Sequence, residues 1–449
     1  MFGAPSSSAG APFEAGRRSA VVVSNTVMRM DVRKKVLSNG LVVVSETMPQ
    51  LRSVSLGVWV RCGSRVERAH HAGISHFIEH LLFKGTRTRS AAAIAAAIDS
   101  VGGELNAFTE KEYVGYYARV MDRHLPLAFD LLSDIVLRPT FPAREIERER
   151  NVIFEEINMI EDSPQELVLD MHLEHFWKGH PLGRPISGTK ETVAAISRAD
   201  VRRFFREHYT AGNLLVAVAG NVSHRKVQAL AERHFSALAP GAAADAGAPP
   251  EACPGRRVRR KRHLEQTHLC LGTVSPPVVS GERYAAYLLS SVLGGGMSSR
   301  LFQNIREKRG LVYSIYSMLN LYRDTGSLVV YAGCAPARAA EVVELTLREL
   351  RRLRERPVAH GELERARECL KGSIMLGLES SGNRMTHLAQ QMMYHGKCQE
   401  PEEILKAVDR VTAREIRDLA DRVFDPSSFT LTALGSGADA DFGAAPAGA

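Results

Sequence analysis

The sequence has 449 residues, 45% hydrophobic and 24% charged, an ordinary globular balance with enough apolar material for two or more cored domains. No stretch approaches the roughly 20 consecutive apolar residues a membrane span requires, so no membrane partner is expected. The net charge is +8, but six Lys and Arg sit in "GRRVRRKRH" (255–263). No aromatics interleave them, which favours a solvated basic linker over a nucleic-acid-binding patch, the rival reading of that segment.

Along the chain, residues 1–28 are Gly-, Pro- and Ser-rich, without a basic stretch leading into an apolar one. They read as a disordered leader rather than a secretory signal. "VRKKVLSNGLVVVSETMP" (32–49) reads as a hairpin turning at Asn39-Gly40, a dipeptide suited to a type I′ turn. A strand follows in 53–65, then helices at about 73–84 and 90–102. Strands are expected in "GELNAFT" and "YVGYYARV", and helices in "HLPLAFDLLSDIVL" and over 143–162. "ALAPGAAADAGAPPEACPG" has no periodicity and reads as a linker.

Beyond it the order of elements repeats. "HLCLGTV" matches "SVSLGVWV", "ERYAAYLLSSVLGG" stands where the 73–84 helix stood, and "ARAAEVVELTLRELRRL" matches "RHLPLAFDLLSDIVL". The expected fold class is therefore α+β, a duplicated unit of two similar halves. The divisions are a leader (1–28), a first half (29–238), a linker that is Ala/Gly/Pro-rich and then basic (239–262), a second half (263–436) and a flexible tail (437–449). Cys62, Cys253, Cys270, Cys334, Cys369 and Cys398 are scattered with no CxxC pair. That argues against a disulfide framework and fits a cytoplasmic location.

The chemistry concentrates in "HFIEH" (76–80). On a helix His76 and His80 share one face, so both imidazoles can reach one ion, and a catalytic Zn²⁺ takes three protein ligands. Glu79 lies near that face and is placed to take a proton from the attacking water. The competing reading is a helix whose two histidines are filler. A third ligand is offered by the 143–162 helix, where Ile146, Ile153, Ile157 and Ile160 mark the buried face and Glu149 and Glu156 border it. The stripe holds no Lys or Arg, so two carboxylates there call for a cation. They lie about 10 Å apart along the axis, so one is a ligand and the other supports the site. The second half has no HxxEH.

With these residues together, the chain resembles the pitrilysin family of inverted-motif zinc peptidases, most closely its processing-peptidase branch. "GISHFIEHLLFKGT" is similar to the family's zinc helix and "ERERNVIFEEINMIEDSPQELVLD" to its glutamate helix. The resemblance runs from about 32 to 436. It implies that Glu156 is the third ligand to one Zn²⁺ per chain and that Glu149 is a supporting acid. It implies two halves facing each other around a chamber that admits short or unfolded polypeptides. "VGGELNAFTEKEYVGYY" resembles the family's substrate edge strand, which would give Asn106, Ala107 and Phe108 substrate contacts by β-augmentation. "LGGGMSSRLFQNIREKRGLVYSIYS" resembles its second-half signature, in which Arg306 and Tyr313 would face substrate and steady the oxyanion. The family pattern implies a metalloendopeptidase, and pairing among relatives makes a homodimer the expectation. A structural subunit of the same fold, without catalysis, is the rival within the family. "LLFKGT" after the second histidine holds the helix in place and shows no chemistry of its own.

Overall fold

The computed structural model describes residues 31–442 except Ala246 and Arg262. The leader and the last seven residues lie outside the described residues. In chain order the strands are β1 (Asp31–Val36), β2 (Val42–Thr47), β3 (Ser53–Val60), β4 (Glu104–Thr109), β5 (Val114–Met121), β6 (Leu214–Gly220), β7 (Gly255–Arg259), β8 (Thr267–Val274), β9 (Val312–Leu321), β10 (Gly326–Cys334) and β11 (Thr430–Leu434). The helices of the first half are α1 (Ile74–Leu82), α2 (Ala91–Asp99), α3 (Leu125–Leu137), α4 (Ala143–Asp162), α5 (Pro164–Phe176), α6 (Lys190–Ala195), α7 (Arg198–His208) and α8 (His224–Phe235). Those of the second are α9 (Arg283–Gly294), α10 (Ala339–Glu355), α11 (His360–Gly377), α12 (Ser381–His395), α13 (Pro401–Arg410) and α14 (Ala413–Val423).

Two sheets result, with strand orders β1-β2-β6-β3-β5-β4 and β7-β11-β8-β10-β9. Without β1 the orders correspond strand for strand. In both sheets the one parallel pair is the same, β2 with β6 and β7 with β11. This is the duplicated α+β fold that the repeat of elements implies.

The halves are bound together by exchanged helices. Helix α12, from the second half, lies across β2, β3 and β6 of the first sheet. Its Met385, Leu388, Ala389 and Met392 pack on Trp59, Leu215, Ala217 and Ala219. Helix α5, from the first half, lies across β8 and β11, with Leu167, Val168 and Met171 on Cys270, Val329 and Leu434. Strands β3 and β6 are therefore covered on both faces, which is why β6 reads as a continuous apolar run rather than an alternating one and why Ser55 of β3 is buried. The seat of each visiting helix is a glycine in the central strand. A Cβ at Gly57 would lie 2.9 Å from Met385 Sδ, and one at Gly272 would lie 2.2 Å from His172 Nε2.

Three sequence expectations are corrected. At Asn39-Gly40 only the glycine has positive φ (91°), and Gly40 N–H bonds Leu37 O (2.9 Å). A type I′ turn needs both central residues there, so this is a longer turn ending in a left-handed glycine. Asn39 is instead drawn off to cap α8, its Nδ2 donating to Phe235 O (2.8 Å). The basic stretch 255–263 is not all linker, because Gly255–Arg259 is the edge strand β7. Edge positions leave long cations in water, so charge does not prevent strand pairing there. Nor is the tail loose from 437: Ala438 and Phe442 are buried in the second core, and Arg256 lies over the Phe442 ring.

Candidate metal centre

Helix α1 begins at Gly73, whose φ of 95° favours glycine, and a Cβ there would meet Ser187 O at 2.6 Å. No residue at the cap position satisfies the first amides. Glu67 does so from outside the helix, accepting from Gly73 N and Ser75 N at 2.8 Å each. Burial nevertheless pushes this carboxyl up to about 7. Phe77, Ile78, Leu81 and Leu82 sink into the first core and anchor the helix. His76, Glu79 and His80 are left on the opposite side, half-buried.

Helix α4 packs against α1, burying Ile146, Ile153 and Ile157. That contact brings Glu156 to both imidazoles: its Oε2 is 3.6 Å from His76 Nε2 and its Oε1 3.5 Å from His80 Nε2. One atom from each of the three residues lies within 4.8 Å of the others, the only such cluster of three or more His, Cys, Asp or Glu among the described residues. Burial and the neighbouring His80 lower His76 to about 4, so its imidazole is neutral at ordinary pH and its Nε2 lone pair is free to donate. Two nitrogens and a carboxylate oxygen are a donor set suited to Zn²⁺. Glu149 sits behind the cluster, buried, with Oε2 3.3 Å from His80 Nδ1. The sequence left open which glutamate is the ligand. The geometry divides them, Glu156 on the Nε2 atoms and Glu149 on the far side of one ring, where a carboxylate fixes the tautomer.

Glu79 is tied to the edge strand by Thr109 Oγ1, which donates to its Oε2. Burial raises the Glu79 carboxyl above its ordinary value, with Thr109 and His80 pulling it down and Glu156 pushing it up. Strand β4 is the last strand of its sheet. Leu105 and Ala107 pack toward the first core with the α1 side of the sheet, while Phe108 turns to the other face against Trp59 (5.4 Å) and Tyr113. Asn106 is exposed, and its Oδ1 accepts from Ala107 N–H (2.8 Å). Arg306 and Tyr313 meet in the second half: Arg306 Nε donates to Tyr313 O (3.0 Å), and the Tyr313 side chain is 79% exposed. The contacts of Arg306 are with Tyr313, Glu307 and Phe302, not with the histidine cluster.

Two residues escaped the sequence reading. Thr109 is one, signalled only by its place in the Leu105-Ala107-Thr109 alternation. Lys84 is the other: its Nζ lies 2.8 Å from Glu149 Oε1. The glutamate stripe does have a cation, supplied by the "LLFKGT" segment rather than by α4 itself, so that segment carries more than a packing role.

Fold and cluster together define a duplicated α+β chain with a candidate two-histidine, one-glutamate metal site in its first half, the only such cluster among the described residues. Comparison with known proteins gives its family. The model of "Insulinase (Peptidase family M16)" matches residues 42–190, and that of the "Peptidase M16 inactive domain" matches 195–370. A protein of Mycobacterium leprae named an uncharacterized zinc protease is 44% identical over 401 residues, 88% of this chain and 89% of its own. Bacillus subtilis YmxG, also named an uncharacterized zinc protease, is 38% identical over 393 residues, 88% of this chain and 96% of its own. The chain belongs to peptidase family M16, the pitrilysin type. Among solved structures, a peptidase M16 inactive domain from Pseudomonas fluorescens superposes with a TM-score of 0.85 at 20% identity, covering 90% of this chain and 98% of that one. A protease from Helicobacter pylori gives 0.84 at 23%, covering 91% and 100%. Both share the fold. No helix among the described residues is long and apolar enough to cross a membrane.

Proposed function

We propose that this protein is a zinc metalloendopeptidase of processing-peptidase type, acting on short or unfolded polypeptides. The observation that carries this reading is the convergence of His76 Nε2, His80 Nε2 and the Glu156 carboxylate beside a raised, tethered Glu79. His76, His80 and Glu156 would hold Zn²⁺, which when bound polarises a scissile carbonyl and acidifies water. Thr109 occupies one Glu79 oxygen and leaves the other to take a proton from the attacking water and return it to the leaving nitrogen. A carboxyl whose pKa is raised is a stronger base than an ordinary one.

The open side of β4 receives the substrate main chain. Asn106 Oδ1 swings off Ala107 N–H to admit it, while Phe108 keeps the strand in place through its packing on Trp59. Tyr313, exposed and tethered through its carbonyl by Arg306, is the phenol assigned to the developing oxyanion. The rival nucleic-acid reading loses support from the basic segment's own pairing, since Arg257 binds Glu174, Arg260 binds Asp439 and Lys261 donates to Glu161 O.

The test is peptide cleavage by purified Glu79→Gln protein beside the parent. Retained zinc with cleavage lowered about a hundredfold or more is expected. Undiminished cleavage would remove Glu79 as the base, and no cleavage by the zinc-loaded parent across a peptide library would favour the silent-subunit reading.

A further inference from the structure

Arg61 leaves β3 with its backbone N–H on Asn213 O (2.9 Å). Its side chain is half-buried and its Nε is shut off from solvent without a hydrogen-bond partner. No carboxylate of the described residues forms an ion pair with it. Other enclosed arginines are treated differently. Arg65 is held by Glu112 (2.8 Å) and Asp324 (2.6 Å), Arg300 by Glu362 (2.8 Å) and Arg384 by Glu46 (3.1 Å). A half-buried guanidinium whose Nε is closed off without such a partner is costly in proportion to its desolvation.

Arg323, in the turn between β9 and β10, shares a cavity of about 280 Å³ with Arg61 at the seam between the halves. Its Nη2 donates to Met393 O (3.0 Å) and it has no carboxylate partner on its side chain. Burial, and then the positive charge of Arg323, lower the Arg61 guanidinium from its ordinary value. The two carboxylates of the cavity that are not exposed, Glu112 and Asp324, are committed to other groups. Glu112 takes Arg65, the Arg323 backbone N–H and Tyr394 Oη, and Asp324 takes Arg65; Asp245 is exposed and turns one oxygen to Gly247 N. Tyr113 and Met393 supply apolar wall beside the two cations.

We propose that this cavity binds an oxyanion between the guanidiniums of Arg61 and Arg323. The planar N–H forks suit carboxylate or phosphate oxygens. Two sources present that chemistry: free inorganic phosphate, or the α-carboxylate at the end of a peptide chain, whose last side chain would lie on Tyr113 and Met393. The site is separate from the zinc cluster, and its test does not use cleavage.

Titration calorimetry on the full chain with inorganic phosphate, N-acetyl-phenylalanine and N-acetyl-phenylalanine amide reads the site directly. The anions are expected to bind, the amide is not, and Arg61→Gln and Arg323→Gln are each expected to weaken binding at least tenfold. Phosphate binding alone assigns a free anion; tighter binding of N-acetyl-phenylalanine assigns a chain terminus. If neither anion binds, or both variants bind them as the parent does, the proposal is overturned. Arg323 is exposed, so its variant decides the matter even where Arg61→Gln fails to fold.

Discussion

Thr109 and Lys84 each stand one contact away from the candidate metal site, and each has a distinct signature. Thr109 donates to the Glu79 carboxylate, which favours the charged form and lowers its pKa. In Thr109→Val that contribution is lost and the Glu79 pKa rises. A base must be ionised to act, so the acid limb of the kcat/KM profile should move to higher pH by about one unit, the size of one hydrogen bond to a charged group. Zinc content should not change. A profile that falls in height without moving would make Thr109 a packing residue only. Lys84 works through Glu149, which it grips at 2.8 Å while the other oxygen faces His80 Nδ1. Lys84→Met keeps the apolar stem and removes the charge. Zinc affinity, measured by chelator competition, should fall about tenfold or more, as for other outer partners of a ligand histidine. Unaltered affinity would mean that Glu149 holds His80 without help. His76, Glu79 and His80 were legible because one helix carries all three at fixed spacing. Glu149 and Glu156 were legible because the isoleucine stripe shows which way they point. Lys84 and Thr109 were not, because each meets its partner across a tertiary contact that no local period encodes.

At the scale of elements, the duplication was readable because matching strands and helices recur in order. The exchange of α5 and α12 was not, since an amphipathic helix shows that it has an apolar face but not which sheet will cover it. One trace was present in hindsight: "SLGV" in β3 and "CLGT" in β8 each put a glycine at the seat of the visiting helix. Gly272→Ala tests that role. The added Cβ would stand 2.2 Å from Nε2 of the fully buried His172, whose ring is stacked on Phe176. Overpacking of this kind costs about 1–3 kcal/mol. The variant should unfold at lower urea, and Gly272→Ala combined with His172→Ala should recover part of the loss. A double variant no more stable than Gly272→Ala would show that the glycine answers to something other than α5.

At the scale of the whole molecule, the question is whether two similar halves behave as two folding units or one. Helices α5 and α12 each complete the core of the opposite half, so neither sheet is covered by its own segment alone. A charged clamp adds to them: Arg65, of the first half and with no exposed side-chain surface, is bound by Asp324 of the second through Nη1 (2.7 Å) and Nη2 (2.6 Å). Both tryptophans report on this seam, Trp59 beneath α12 and Trp177 in a cluster with Tyr322. Asp324→Ala removes both bonds from the Arg65 guanidinium to the second half and leaves it beside Glu112, a loss of up to about 3 kcal/mol. If the exchanged helices couple the halves, tryptophan fluorescence and far-UV circular dichroism should lose structure in the same urea transition, and Asp324→Ala should carry both midpoints down together. If instead only fluorescence moves and the dichroism midpoint stays, the seam opens while each half survives by itself. The exchanged helices would then be docked onto finished domains rather than being part of their cores.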